Sequence, residues 1–153
     1  DVLPVTGNVK SGGWTNDARP DVSGTLSAAL GAGEVLIVMR DGVAVGRAVV
    51  TGTAWTYSES ADLTDGQHIY TAHVEDAAQN PGATSNRYEI NVDTVPPSQA
   101  VVLTHIVDNK DPVTGDVEDG AYTNDDTPTL HGTLSAALGA GEILTVWRNG
   151  ELL

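Results

Sequence analysis

The 153 residues carry 21 Asp and Glu against 7 Lys and Arg, for a formal net charge of −14, and include no Cys. Nucleic acids and anionic membrane surfaces are held by clustered basic side chains, so both partner classes are excluded, and without Cys there is no disulfide framework, thiolate ligand or thiol nucleophile. The acidic excess suits a self-repelling, soluble surface or one that collects divalent cations.

Residues 1–45 return as residues 109–153 at an offset of 108, with 25 identities in the 45 positions, so the chain is a tandem repeat of about 1.4 copies. The opening segment DVLPVTGNVKSGGW and its counterpart NKDPVTGDVEDGAY are turn-rich and predict a loop with a short strand. After TND, PDVSGTLS alternates in a period of two, placing Val22, Gly24 and Leu26 on one face of a strand. AALGAGE holds Gly31 and Gly33 too close together for a helix and predicts a loop or single turn.

VLIVMRDG is the clearest strand. Leu36 and Val38 are unchanged in the other copy as Leu144 and Val146, whereas Ile37 and Met39 become Thr145 and Trp147, so the unchanged pair is expected to face inward. Asp41-Gly42 and Asn149-Gly150 supply the two positive-φ residues of a type I′ hairpin, and VAVGRAVV is the expected return strand. Trp55 and Tyr57 share a face, with Trp55 expected as a buried core plug. A second Asp-Gly turn at Asp65-Gly66 leads into a strand with Tyr70, Ala72 and Val74 in step. The loop AAQNPGATSN and a last strand with Tyr88, Ile90 and Val92 in step follow. Pro96 and Pro97 form a short stiff linker, after which 100–107 opens the next copy as its first strand.

Seven or so short strands, regular turn signals and almost no helical periodicity predict an all-β chain, an antiparallel β-sandwich of immunoglobulin type. Residues 1–95 are expected to form one repeat lacking its first strand, and 96–153 the N-terminal part of a second, truncated repeat. There is no apolar run of about 18 residues, and the opening lacks the pattern of an export signal.

GTLSAALGAGE, the V-x-R-(D/N)-G hairpin, A-W-T-Y, DG-x-H-x-Y-T-A-x-V-E-D-A-A-x-N and the closing N-V-D-T-x-P-P together resemble the bacterial immunoglobulin-like repeats of giant surface adhesins and biofilm-associated proteins. The resemblance covers essentially the whole chain. It implies an extracellular place at the bacterial cell surface, neighbouring repeats of the same chain as partners, and a stalk role that holds a terminal binding domain away from the cell. The family's usual Gly in the DAAGN loop is Gln79 here, which puts that loop's geometry in question.

Acids gather where consecutive repeats are expected to meet: Asp76 and Asn80 in the loop between the last two strands, Asp93 at the end of the last strand, and Asp108, Asp111, Asp116, Glu118, Asp119 and Asp125 at the start of the next copy. Calcium takes six to eight oxygens, and related repeats are similar in using it between domains, so Asp76, Asp93, Asp108, Asp111 and Asp125 are candidate ligands of an interdomain calcium ion. The alternative is that these are turn acids bonded to their own backbone, the expected role of Asp17 and Asp125 in their shared TND context. The spacing is not that of an EF-hand.

His68, His73, His105 and His131 are scattered, and His131 stands where the other copy has Ser23, so strand-face or turn positions are expected for them. No nucleophile elbow is present and no enzyme is expected. A carbohydrate- or surface-binding sandwich is the second functional class, with Trp14 and Trp147 as its exposed aromatic candidates. A half-repeat has unpaired edges and half a core, so 97–153 is expected to be completed by strand exchange with another chain or against the open edge of the first repeat.

Overall fold

The computed structural model describes residues 6–153, which contain strands and turns and no helix. The chain divides into two compact units, Asp1–Val95 and Pro96–Leu153.

The first unit is a two-sheet sandwich. Its strands are β1 (Gly13–Thr15), β2 (Asp21–Thr25), β3 (Val35–Arg40), β4 (Val43–Arg47), β5 (Val49–Thr51), β6 (Ala54–Ser58), β7 (Gly66–Glu75) and β8 (Tyr88–Val92). One sheet runs in the order β1-β8-β7-β3-β4 and the other β2-β6-β5. Inward-facing residues from both make the core: Val38 and Val92 are almost wholly buried, with Tyr57, Leu63, Tyr70 and Ile90 around them and Val22, Val45, Ala48 and Trp55 packed at the margin. Burying one such valine stabilises the fold by about 1.5–2 kcal/mol.

The strand faces follow the alternation. Leu36 and Val38 are buried between less buried neighbours in β3, as their identity in the two copies implies. Val22 and Gly24 are the more buried positions of β2. Asp41 (φ 53°) and Gly42 (φ 82°) form the type I′ turn between β3 and β4.

Three expectations are corrected. VAVGRAVV is two strands rather than one return strand: β4 stays beside β3, the chain changes sheets at Ala48, whose N–H donates to the Leu36 carbonyl, and β5 joins β6. Trp55 is half-buried rather than a core plug, because β2, its neighbour, is an edge strand; Tyr57 fills the centre, its hydroxyl donating to the Val45 carbonyl at 3.2 Å. The sandwich is also not wholly antiparallel: β1 runs parallel to β8, with Gly13 opposite Ile90 and Thr15 opposite Val92.

AALGAGE is a turn in both copies, as its glycines require. The Glu34 carboxylate accepts the Gly31 N–H at 2.6 Å and the Glu34 N–H donates to the Gly31 carbonyl; Glu142 and Gly139 repeat both contacts. The sameness of this stretch is the sameness of a Glu-capped turn.

The second unit contains β9 (Val101–Asp108), β10 (Gly115–Val117), β11 (Thr129–Leu134), β12 (Trp147–Arg148) and β13 (Glu151–Leu152). β9 lies between β10 and β11, while β12 and β13 form a separate hairpin around Asn149 (φ 53°) and Gly150 (φ 87°). β11 is the counterpart of β2, and a bulge falls between His131 and Gly132 in its ladder with β9. No apolar side chain of this unit is fully buried; its buried residues are Asp108 and Asp125.

Candidate functional site

Of the five acids named as candidate calcium ligands, Asp76, Asp93, Asp108 and Asp125 have carboxylates engaged close to home. Asp76 organises the loop after β7: one carboxylate oxygen accepts the N–H groups of Ala78 and Asn80 at 2.8 and 2.9 Å, and the other accepts the Asn80 side-chain amide. These bonds, the Asn80 side chain foremost, hold its carboxyl below the usual carboxylate range. Asp93 accepts the Val95 N–H.

Asp108 accepts the Lys110 N–H and, at 2.6 Å, the Thr123 hydroxyl. Asp125 accepts the N–H groups of Asn109 and Thr127 at 3.1 and 2.9 Å, and these, led by Asn109, hold its carboxyl low against the opposing effect of burial. The structure therefore brings Asp108 and Asp125 into one network through Thr123, whose hydroxyl also accepts the Asp125 N–H. Asp111 adds only its backbone carbonyl, which accepts the Asn124 amide. Asp17 forms the same turn as Asp125, accepting the Arg19 N–H at 2.8 Å. Among the described residues no three or more His, Asp or Glu side chains form a group able to hold a metal ion.

The Asp76 loop accounts for the departure at position 79. Gln79 has φ 65°, the left-handed conformation that glycine adopts without cost and other residues adopt at about 1 kcal/mol. Its N–H closes the turn onto the Asp76 carbonyl, so the conformation is imposed by the loop. Replacing Gln79 by Gly is expected to stabilise the first unit by about 0.5–1 kcal/mol and to raise its melting temperature by a few degrees in calorimetry. An unchanged or lower melting temperature would show that the loop stores no strain there.

Two arrangements were not anticipated from the sequence. Glu59, just past β6, is buried and joins the two sheets: it accepts the Tyr70 hydroxyl at 2.7 Å and pairs with Arg40 at 2.7 Å. Burial first, then the Glu59 hydrogen bond and charge, push the Tyr70 phenol well above its ordinary range. The signal was present, since Glu59 continues the in-step series of Trp55 and Tyr57, putting an acid at an inward position. His68 is likewise buried, 2.8 Å from the Asp41 carboxylate and 2.8 Å from the Thr64 carbonyl. Asp41 also accepts the Ile69 N–H. Burial raises the Asp41 carboxyl, but the His68 hydrogen bond, the Ile69 N–H and the nearby positive charge outweigh it and hold that carboxyl low. These groups lock the β3–β4 turn to β7. In the second unit His105 and His131 stack across β9 and β11 with ring centroids 4.6 Å apart.

A groove of about 990 Å³ lies between the two sheets of the first unit along β2, with Val22, Trp55, Leu36 and Ile90 in its walls. Exposed aromatic side chains are dispersed: Trp14 and Trp147 are each about three-fifths exposed and lie in different units.

A family model described as "Bacterial Ig-like domain" matches residues 4–94. No curated protein and no solved structure matches the chain.

Proposed function

Because the chain belongs to the bacterial Ig-like domain family, we propose that it is a structural spacer, a stalk repeat of a bacterial cell-surface adhesin that serves adhesion or biofilm formation by holding a terminal domain away from the cell. The observation that carries this reading is the tandem recurrence of residues 1–45 as residues 109–153, at an offset of 108 residues. A chain of near-copies gains length with each copy, and every repeat needs only its own core and its neighbours. The polar groups brought together in the first unit support the same role. Glu59, Arg40 and Tyr70, and likewise Asp41 and His68, are satisfied by one another and tie strands together. The proposal therefore includes no catalysis and places the protein outside the cell, with neighbouring repeats as its partners.

The test is small-angle scattering on arrays of two, three and four complete repeats, run in chelator and in millimolar calcium. A maximum dimension that grows in proportion to repeat number supports the spacer; one that does not grow overturns it. Calcium between repeats, expected from the resemblance, is a separable part of the proposal. A stiffer array with a higher melting temperature in calcium supports it, and identical behaviour in chelator removes it. Saturable, sugar-specific retention on a glycan array would replace the spacer reading with the carbohydrate-binding one.

A further inference from the structure

Two histidines meet on one face of the second unit. In the β9–β11 ladder His105 stands directly opposite His131, and their rings are stacked, with centroids 4.6 Å apart and planes 8° from parallel. The neighbouring pair, Ile106 opposite Leu130, marks the other face, since Leu130 is the counterpart of Val22, which packs on the core of the first unit. Alternation therefore turns both histidines to the outer face of the sheet. Solvent reaches them there: the His105 side chain is 39% exposed, and His131 is exposed. Among the described residues the His131 ring has no hydrogen-bond partner. The His105 ring has the Thr104 hydroxyl 3.2 Å from Nδ1 and the Asp116 carboxylate 3.9 Å from Nε2, the latter too far for a hydrogen bond.

We propose that His105 and His131 form a binding site for a divalent transition cation of the zinc and copper class, held between one nitrogen of each ring. The tautomer of His105 favours it. The Thr104 hydroxyl donates its hydrogen to the His131 carbonyl at 3.0 Å, so toward His105 its oxygen can only accept, and Nδ1 carries the proton of the neutral ring. That leaves the lone pair on Nε2, the nitrogen without a hydrogen bond, and a ligating imidazole is oriented in this way by a bond at its other nitrogen. Spacing favours it as well. Zinc–nitrogen bonds are about 2.0–2.1 Å, so two nitrogens on one ion lie at most about 4.2 Å apart, and rings stacked at 4.6 Å reach that by a modest tilt that no core packing opposes. Charge is the third reason: the Asp116 carboxylate lies beside Nε2 in a chain of net charge −14, which draws cations to this face.

Two ring nitrogens supply half of a tetrahedral set and water completes it, so the site is open and of modest affinity. Imidazole selects zinc, copper and nickel over calcium, which takes oxygen ligands, so this site is distinct from any formed by the acids. A bound ion cross-links β9 to β11 next to the bulge between His131 and Gly132, where the ladder is least regular. The first copy has Ser23 in the place of His131, so the clip belongs to this copy rather than to the repeat as such.

The test titrates the full chain, carrying no affinity tag, with zinc chloride at neutral pH by calorimetry and with copper(II) chloride by electron paramagnetic resonance. One zinc ion per chain is expected to bind with Kd on the order of 10–100 µM, undisturbed by millimolar calcium, and copper is expected to bind more tightly. The copper spectrum is expected to show coupling to two imidazole nitrogens. His131→Phe keeps a ring to stack on His105, and His131→Ser installs the residue of the first copy, so neither disturbs the strand. Each is expected to weaken zinc by at least about tenfold and to leave copper coupled to a single nitrogen. His73→Gln removes the ring beside Glu75 in the first unit and is expected to change nothing. Zinc affinity weaker than about 1 mM, equal binding by the His131 variants, loss of binding in His73→Gln, or displacement of zinc by millimolar calcium each overturns the site.

Discussion

Replacing Glu59 by alanine is expected to lower the stability of the first unit by about 3 kcal/mol and its melting temperature by roughly 10–20 °C. Glu59 touches both partners in its network: Tyr70 donates to one carboxylate oxygen and Arg40 pairs with the other. Arg40 and Tyr70 stand opposite each other on β3 and β7, whereas Glu59 comes from the end of the facing sheet, so the contact fastens the two layers of the sandwich. Removing the carboxylate leaves a guanidinium with little water and a buried phenol without an acceptor, and an orphaned buried partner costs more than the intact pair contributes. Glu59→Gln keeps the volume and an acceptor for Tyr70 while cancelling the charge, and about half the loss is expected. Chemical denaturation of both variants checks this, together with a double-mutant cycle against Arg40→Ala. An alanine variant within about 0.5 kcal/mol of the parent would show that the network is dispensable.

That network marks where the sequence stopped being readable. Period-two alternation located β2, β3, β6, β7 and β8, and two identical positions, Leu36 and Val38, identified the inward face of β3. Turn chemistry located the β3–β4 hairpin, because positive φ at Asp41 and Gly42 is a local demand. The change of sheet at Ala48 was not visible, since the residues on both sides carry the same apolar pattern and the turn is marked only by the end of the β3–β4 ladder, where the Ala48 N–H meets the Leu36 carbonyl.

The repeat makes the point sharply. Residues 143–148 are near-copies of 35–40, yet only Trp147 and Arg148 are in a strand, because β3 is held between β7 and β4 whereas its counterpart has only the short hairpin partner β13. In the same way, 13–15 form a strand beside β8 while 121–123 do not, and 115–117 form one beside β9 while 7–9 do not. Local sequence supplies a strand's propensity, and the strand exists where its partner is in place. The acids divide similarly. Their concentration near the copy boundary could be read directly, but their geometry could not, since the choice between binding an ion and capping a turn depends on where backbone N–H groups such as those of Asn80 and Asn109 point.

Gly24→Val is expected to cost about 2–3 kcal/mol and to move the tryptophan emission to the red. Gly24 faces Trp55 across β2 and β6, and a Cβ there would lie 2.7–2.9 Å from three atoms of the indole, so the ring must swing away from the strand it covers. Trp14 and Trp147 are already largely exposed, which leaves Trp55 as the indole whose environment changes. Propensity predicts the opposite sign, because a side chain in place of glycine within a strand stabilises by about 0.5–1 kcal/mol, and that makes the direction of the effect diagnostic. Gly132→Val is the matched control. At that position the Cβ would meet the Val102 backbone rather than an indole, so the β9–β11 ladder is expected to weaken while the emission maximum of Trp55 stays in place. A Gly24→Val chain with unchanged stability and emission would show that Trp55 does not rest on β2.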